Sequence, residues 1–282
     1  MTYILVTTAR NESANLRNLI NSVLSQTIKP ALWFIMNDNS TDDTEQILED
    51  ASRNYSFIKF ENLGIGERDL TFRYHQNMSY GFKKAALFCM ENKIAWEYIG
   101  VLDGDIFLDS INYYQLLINQ LEVDSSLVII SGVVLSYNGK SYIEESTYKK
   151  EKPRGANRLI RKSFYEEIGY PIVPSADSVM IVLAFQKKYH CVCIEEAVAK
   201  QSRLTTSERD DYFSGKYVGR VKYILGYSVI YSILKSIYLL LKLKPQMALG
   251  FAVSYIKCFV LREKRIEIED VRRFYGKKIL GT

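Results

Sequence analysis

Short apolar segments alternate with helix-like segments through the opening third of the chain, and this alternation strongly limits the possible folds. Residues 3–8, 32–36 and 98–102 have the apolar character of buried strands, and residues 57–60 form a weaker example. Between them, apolar side chains recur at helical spacing, as at Leu16, Leu19, Ile20, Val23 and Leu24. Strand–helix–strand units build parallel sheets. The sequence therefore predicts an α/β fold with a mixed, mostly parallel sheet and flanking helices.

Polar segments follow three of these strands, at residues 9–12, 37–42 and 103–105. Because ligands bind at the carboxyl ends of parallel strands, we expect the three segments to lie along one edge of the sheet. In an extended chain Asp103 and Asp105 point the same way, and Gly104 lets the backbone approach a ligand. Two such carboxylates suit a divalent cation that already carries phosphate oxygens. An acidic turn is the simpler interpretation of the same triplet.

Charge divides the chain into two unequal parts. The 282 residues are 48% hydrophobic and 24% charged, as in an ordinary globular protein. From residue 214 onward there are 14 Lys and Arg against 4 Asp and Glu, whereas the rest holds 23 against 28. Such a basic tail indicates an anionic partner, either membrane lipid or nucleic acid. We predict two domains, 1–213 and 214–282.

The basic region is also rich in apolar residues. Residues 217–241 and 247–261 form two apolar stretches that are interrupted by cations. No window of about 20 residues is free of charge, so a transmembrane helix is not favoured. A C-terminal pair of helices lying on the membrane surface fits the pattern. A helical cap packed on the sheet domain is the alternative.

The cysteines indicate a reducing compartment, and the sequence contains no further cofactor-binding motif. The four cysteines show no C-x-x-C spacing and are read as buried thiols. His75 and His190 are isolated, which favours structural roles. Neither a P-loop nor a dinucleotide fingerprint occurs. The first residues form a strand rather than a signal peptide, so we predict a cytoplasmic protein associated peripherally with the inner face of the cell membrane.

Three motifs, taken in order, resemble those of family-2 glycosyltransferases. The first is Val6-Thr7-Thr8-Ala9-Arg10-Asn11-Glu12, at the opening strand–helix unit. The second, Ile35-Met36-Asn37-Asp38-Asn39-Ser40-Thr41-Asp42-Asp43-Thr44, resembles V-D-D-G-S-T-D-x-T, and Val101-Leu102-Asp103-Gly104-Asp105 resembles the family's D-x-D. The resemblance covers the first 105 residues well. It implies a GT-A fold and an enzyme that uses a nucleotide-sugar donor.

The resemblance also implies roles for individual residues. Asp38 would contact the nucleotide base, Asp103 the ribose, and Asp105 a Mg²⁺ or Mn²⁺ ion that bridges two phosphates. The wider donor site would comprise Ala9, Asn11, Glu12, Asp38, Asp103, Gly104 and Arg154. The first Asp of the family pattern is Asn37 here and its Gly is Asn39, which tolerates left-handed geometry. As alternatives, residues 37–42 cap a helix, and Glu12 is an exposed acid at a helix start.

The base for an inverting transfer would be Asp177. The family places an acid at the start of a late helix, often as an E-D pair, and here Ala176 precedes Asp177. Such an acid takes the proton of the acceptor hydroxyl, although a helix N-cap would also suit Asp177. The segment from Arg154 to Arg158 resembles the acceptor-side loop, in which either arginine would meet phosphate. Solvated surface charge is the competing interpretation.

We therefore predict a metal-dependent inverting glycosyltransferase. It would move a sugar onto a glycan or lipid-linked acceptor at the membrane surface, for a cell-surface polysaccharide or a glycolipid. Its partners would be a nucleotide-sugar and an anionic membrane, with no nucleic acid expected. One alternative is a polyprenyl-phosphate sugar synthase, whose anionic acceptor needs no base. Another is a non-catalytic nucleotide- or glycan-binding protein, because acids are replaced at Asn37 and Ala176.

Overall fold

The computed structural model of the protein describes residues 1–64, 71–144, 149–205 and 210–279. The strands are β1 (Tyr3–Ala9), β2 (Leu32–Asn37), β3 (Ile58–Asn62), β4 (Tyr98–Val101), β5 (Ile106–Leu108), β6 (Leu127–Tyr137), β7 (Tyr142–Glu144), β8 (Arg158–Arg161) and β9 (His190–Gln201). The first six helices are α1 (Ser13–Leu24), α2 (Thr44–Asn54), α3 (Arg73–Glu91), α4 (Tyr113–Val123), α5 (Lys162–Ile168) and α6 (Ala176–Gln186). The last four are α7 (Tyr212–Leu225), α8 (Val229–Leu241), α9 (Pro245–Val260) and α10 (Glu269–Gly276).

The described strands form a single mixed sheet in the order β3-β2-β1-β4-β8-β6-β9-β5, and β7 pairs with β6 beside this path. Strands β3, β2, β1 and β4 are parallel to one another. Strand β8 runs antiparallel to both β4 and β6, and β9 returns parallel to β6. The predicted α/β fold with flanking helices is therefore confirmed. The parallel half places the ends of β1, β2 and β4 side by side.

The sheet is buried on both faces, which explains why its strands are apolar almost throughout. In β1, Tyr3 and Leu5 belong to the core on one face, whereas Ile4 and Val6 belong to the core on the other. Helices α1, α2 and α4 cover the first face, and α3, α5 and α6 cover the second. Strands covered on both faces are typical of parallel sheets with helical crossovers.

The apolar segment from His190 to Ile194 is only the first part of the last strand, because β9 extends to Gln201. Pairing with β6 shifts between Gly132 and Val133, so that residues 195–197 are left out of the ladder. The acidic Glu195 and Glu196 fall in this irregularity, and they interrupt the apolar pattern that a strand prediction relies on. The extension matters because it brings Gln201 to the predicted site.

The apolar stretch at residues 217–241 is two helices rather than one, because the chain turns at Gly226, which has a φ of 97°. Buried side chains of α7–α10 share a core with Val179 and Val182 of α6. The inner side of this region thus packs on the sheet domain, as the helical-cap alternative expects. No helix among the described residues combines the length and apolar character needed to cross a bilayer. That residues 214–282 form a separate domain stays a prediction, and residues 280–282 lie outside the described ranges.

Helices α7 and α9 approach so closely that glycine is required between them. A methyl group on Gly219 would lie 2.4 Å from the Phe251 carbonyl oxygen. We expect Gly219→Ala to lower the free energy of unfolding by about 2 kcal/mol, because the backbones must separate to admit the methyl. Gly276→Ala is the control, since its methyl would be 3.5 Å from the nearest atom. Denaturant unfolding of both variants measures the difference, and equal stabilities would contradict this packing.

Candidate active site

Two backbone loops are joined at the carboxyl edge of the parallel strands. The amide of Asn11 donates to Ser40 Oγ at 3.0 Å, and the amide of Thr41 donates to Asn11 Oδ1 at 2.8 Å. The amide of Asp38 donates to the Ala9 carbonyl at 2.8 Å. Asn11 has a φ of 53°, a left-handed conformation that asparagine adopts readily. The loops after β1 and β2 therefore meet at one edge, as expected from the alternating pattern.

Asp38 is a buried carboxylate held by arginines. The Nε of Arg73 lies 2.9 Å from Asp38 Oδ1 and 3.1 Å from Oδ2, and Arg10 Nη1 lies 3.9 Å from Oδ2. Hydrogen bonding to Asp38 raises the pKa of Arg73. Arg73 is the first residue of α3 and was not singled out from the sequence. A ligand that reaches Asp38 will therefore also meet positive charge.

Asp103 lies at the exit of β4 beside Tyr74. The Tyr74 hydroxyl donates to Asp103 Oδ1 at 2.6 Å, and the Asp103 amide donates to the Ala156 carbonyl at 2.8 Å. Burial, followed by the neighbouring charge of Asp105, raises the pKa of Asp103 to about 7. The two carboxylates are thus close enough to repel each other, and a cation bound between them would relieve this repulsion.

Asp105 and Glu12 are both buried and share one partner, Arg203. The Nε of Arg203 lies 2.7 Å from Asp105 Oδ2, and its Nη2 lies 2.6 Å from Glu12 Oε1. A side chain on Gly104 would meet Glu12, because its Cβ would lie 3.0 Å from Glu12 Cγ. Glu12 is therefore packed against the D-x-D turn, and the interpretation of Glu12 as an exposed acid is wrong.

Asp105 and Gln201 both carry oxygen atoms of the kind that a hard divalent cation binds. Gln201 Nε2 donates to Asp105 Oδ2 at 3.1 Å, while Gln201 Oε1 is buried and has no hydrogen-bond partner among the described residues. Carboxylate and amide oxygens are the ligands that Mg²⁺ and Mn²⁺ accept. No cluster of three or more His, Cys, Asp or Glu side chains that could hold a metal occurs in the described ranges. Such an ion would therefore take some of its ligands from phosphate or water.

Asp177 lies in the first turn of α6 and is not the N-cap. The N-cap is Ser175, which has a left-handed φ of 54° although it is not a glycine. The amide of Ser175 donates to His75 Nε2 at 3.2 Å, so His75 holds this strained residue in place. The N-cap interpretation of Asp177 is wrong. A carboxylate in the first helical turn is nevertheless stabilised by the helix dipole.

Tyr74 and His75, adjacent in α3, connect the two predicted acids. Burial and then Asp103 raise the pKa of Tyr74, and Asp177 adds to this increase. Burial lowers the pKa of His75 to about 4, although the charge of Asp177 opposes the change. His75 is therefore neutral at physiological pH, which agrees with the structural role predicted for it. The fold thus gathers Asp103 and Asp177 around one pair of aromatic side chains.

The loop before β8 lies next to Asp177. Arg158 is fully buried, and it donates from Nε to the Arg154 carbonyl and from Nη1 to the Asp177 carbonyl, both at 3.1 Å. Its Nη2 lies 3.7 Å from Asp177 Oδ2. Arg158 therefore ties the loop to α6 and is not a solvated surface charge, whereas a phosphate contact by Arg158 stays a prediction. The amide of Arg154 donates to Ser131 Oγ, and a phosphate contact by its side chain stays a prediction.

Comparison with known proteins identifies both a family and a fold. The family model described as Glycosyl transferase family 2 matches residues 4–176. A search of curated proteins found no significant match. Among solved structures, TarS 1-349 from S. aureus in complex with UDP is 14% identical, with a TM-score of 0.56 over 97% of this chain and 78% of that one.

Two further solved structures have the same fold. The mannosyltransferase PcManGT from Pyrobaculum calidifontis, in complex with GDP-Man and Mn²⁺, is 11% identical, with a TM-score of 0.57 over 92% of this chain and 75% of that one. GalNAc-T7 with UDP, GalNAc and Mn²⁺ is 15% identical, with a TM-score of 0.59 over 98% of this chain and 58% of that one. At these identities the structural similarity shows the GT-A fold alone.

Proposed function

Because the chain belongs to glycosyl transferase family 2 and is a glycosyltransferase, we propose that it transfers sugar with inversion and with the help of Mg²⁺ or Mn²⁺. The observation that supports this most is the convergence of Asp103, Asp105 and Asp177 at one edge of the sheet. Two of these acids flank the D-x-D turn, and Tyr74 donates to one of them, Asp103. The neighbouring His75 accepts from the amide of Ser175, the N-cap of the helix that carries Asp177. Two neighbours of the same fold were solved with Mn²⁺.

The donor site of the proposal lies along the ends of β1, β2 and β4. Asp38 binds the nucleotide base and Asp103 the ribose, while Ala9, Asn11 and Gly104 bring the backbone close to the nucleotide. Asp105 holds the metal, with Gln201 Oε1 as a candidate further ligand. A bound metal ion supplies positive charge that offsets the charge developing on the leaving nucleoside diphosphate. Solved neighbours hold UDP, UDP-GlcNAc or GDP-Man, which supports a nucleotide-sugar donor here.

The acceptor side of the proposal rests on Asp177. Its side chain is 41% exposed, so an acceptor hydroxyl has access to it from solvent. As the hydroxyl oxygen attacks the anomeric carbon, the bond from that carbon to the diphosphate breaks and the hydroxyl proton passes to the Asp177 carboxylate. The product keeps the sugar with inverted configuration, and the nucleoside diphosphate leaves with the electron pair.

A donor screen tests this proposal. The protein is incubated with UDP- and GDP-sugars in the presence of Mn²⁺, Mg²⁺ or a chelator, and release of nucleoside diphosphate is measured. We expect at least one donor to be turned over with metal and none with the chelator. Binding without turnover of any donor would instead favour the non-catalytic binding protein.

We further propose that the acceptor is presented at an anionic membrane surface. Helix α8 exposes an apolar stripe of Ile230, Ile233, Ile237, Leu240 and Leu241. Helix α9 exposes a second stripe of Leu249, Val253, Ile256, Phe259 and Val260. Residues 228–262 carry five Lys or Arg and no Asp or Glu. Apolar stripes with basic neighbours and no acid suit a surface of anionic lipid, on the inner face of the cell membrane.

Sedimentation with lipid vesicles tests the membrane contact. We expect the protein to bind phosphatidylglycerol-containing vesicles, and Ile233→Asp/Ile237→Asp to reduce this binding at least tenfold, because charge is placed in the apolar stripe. Met90→Asp/Val123→Asp is the matched control, since both residues are exposed apolar side chains elsewhere. Equal binding of the two double variants would contradict the proposal. So would self-association through the stripes with no lipid binding.

A further inference from the structure

Arg203 bridges two buried acids that come from different strand ends. Glu12 follows β1 and Asp105 follows β4, and their side chains are only 8% and 5% exposed. The guanidinium of Arg203 contacts both of them, through Nη2 at 2.6 Å and Nε at 2.7 Å. Arg203 itself is 52% exposed, and it lies two residues beyond the end of β9. Both acids are thus buried at the edge of the sheet, whereas the arginine that neutralises them lies at the surface.

This arrangement follows from the cost of burying charge. Two carboxylates that are so little exposed and that contact the same guanidinium are stabilised by its positive charge. The planar guanidinium has several donors in a fixed fork, so that one arginine can serve both acids. Arg203 therefore already supplies, from within the chain, the positive charge that a metal ion would bring to Asp105.

We propose that Arg203 is the resident counter-ion of the metal site and competes with the divalent cation for Asp105. The inference rests on the proposed function, because it assumes that Asp105 binds the metal. Arg203 Nε already contacts Asp105 Oδ2, and a divalent cation bound to the same carboxylate would repel the guanidinium beside it. A metal ion would then bind Asp105 only when Arg203 moves away from it. Glu12 keeps the released guanidinium tethered beside the site, which makes Glu12 a positioning residue.

The exchange predicts that Arg203→Ala destabilises the metal-free protein but increases its affinity for the metal. Without metal, Arg203→Ala leaves the buried Glu12 and Asp105 without the guanidinium that contacts both, so the melting temperature falls. With metal, the ion no longer has to displace the guanidinium, so it binds more tightly. The rise in melting temperature on adding Mn²⁺ is therefore larger for Arg203→Ala than for the wild type.

Calorimetric titration with Mn²⁺ alone, without nucleotide, tests the exchange. We expect Arg203→Ala to bind Mn²⁺ about two- to fivefold more tightly than the wild type, the size expected for releasing a half-exposed ion pair. Arg203→Lys should fall between the two, because an ammonium lacks the fork that bridges both acids. Lys200→Ala is the matched control. It also removes one positive charge near the end of β9, but Lys200 pairs with Asp109 at 2.8 Å rather than with Asp105.

An affinity for Mn²⁺ that is the same in Arg203→Ala, Lys200→Ala and the wild type would overturn the exchange. So would weaker binding to Arg203→Ala, which would make Arg203 a supporter of the metal rather than its competitor. If Arg203→Ala does not fold, Arg203→Lys and Arg203→Gln carry the same comparison. Donor turnover by the wild type is measured separately. Turnover without a change in Mn²⁺ affinity refutes the exchange alone, whereas no turnover with any donor refutes the proposed function.

Discussion

Asp105→Asn is expected to lower the rate of nucleoside diphosphate release by about a thousandfold. The asparagine has the same shape but lacks the charge that holds a divalent cation. Without that cation, negative charge builds up on the leaving diphosphate with less to offset it. The measurement is the steady-state rate with the best donor from the screen, at saturating Mn²⁺.

The matched control for this variant is Asp109→Asn. Asp109 lies four residues further along the chain, is exposed, and pairs with Lys200. We expect its rate to stay within about twofold of the wild type, because an exposed ion pair contributes little. Asp105→Asn should still fold, since Arg203 keeps its contact with Glu12. An Asp105→Asn protein that retains a tenth of the wild-type rate would contradict the role of Asp105.

Asp177→Asn is expected to lower kcat by about 10² to 10⁴, with donor and metal affinity nearly unchanged. The amide keeps the shape of the first turn of α6, and Arg158 keeps its bond to the residue's carbonyl oxygen. What is lost is the group that accepts the proton from the acceptor hydroxyl. The effect on transfer is measured with an acceptor, and the affinity for the donor is measured by calorimetry.

Glu167→Gln is the control for Asp177, because Glu167 is a partly exposed acid that pairs with Lys187 away from the site. This control should transfer sugar at the wild-type rate. The result also separates two acceptor classes. A hydroxyl acceptor needs a base, whereas a polyprenyl phosphate is already an anion. An Asp177→Asn enzyme that works at full rate would therefore refute the base role and favour the polyprenyl-phosphate sugar synthase.

The strand-end loops could be predicted because each is attached to a locally recognisable element. Asp38 and Asp103 follow apolar strands, and parallel strands carry their ends to the same edge. Their partners could not be found in this way. Arg73 meets Asp38 across 35 residues, and Arg203 meets Glu12 across 191. Nothing in the sequence around Arg73 or Arg203 distinguishes these arginines from solvated surface charge.

Other differences from the prediction have local causes. Helix α4 was overlooked, although Tyr113, Tyr114, Leu117, Ile118 and Leu121 have helical spacing and are buried. Strand β5 has three residues, too few for a periodic signal. The exposed interpretation of Glu12 failed because burial of an acid depends on a counter-charge, and the counter-charge here lies beyond the end of β9. The sequence pattern thus indicates where the site lies, whereas its electrostatic partners depend on tertiary contacts.

The central claim is that acids from separate strand ends form one site for a metal-bound nucleoside diphosphate. Calorimetric titration of the protein with UDP and with GDP, with and without Mn²⁺, tests it most directly. We expect at least one of the two nucleotides to bind about tenfold or more tightly with Mn²⁺, and Asp105→Asn to abolish this gain. If neither UDP nor GDP gains affinity from Mn²⁺ in the wild-type protein, the claim is refuted.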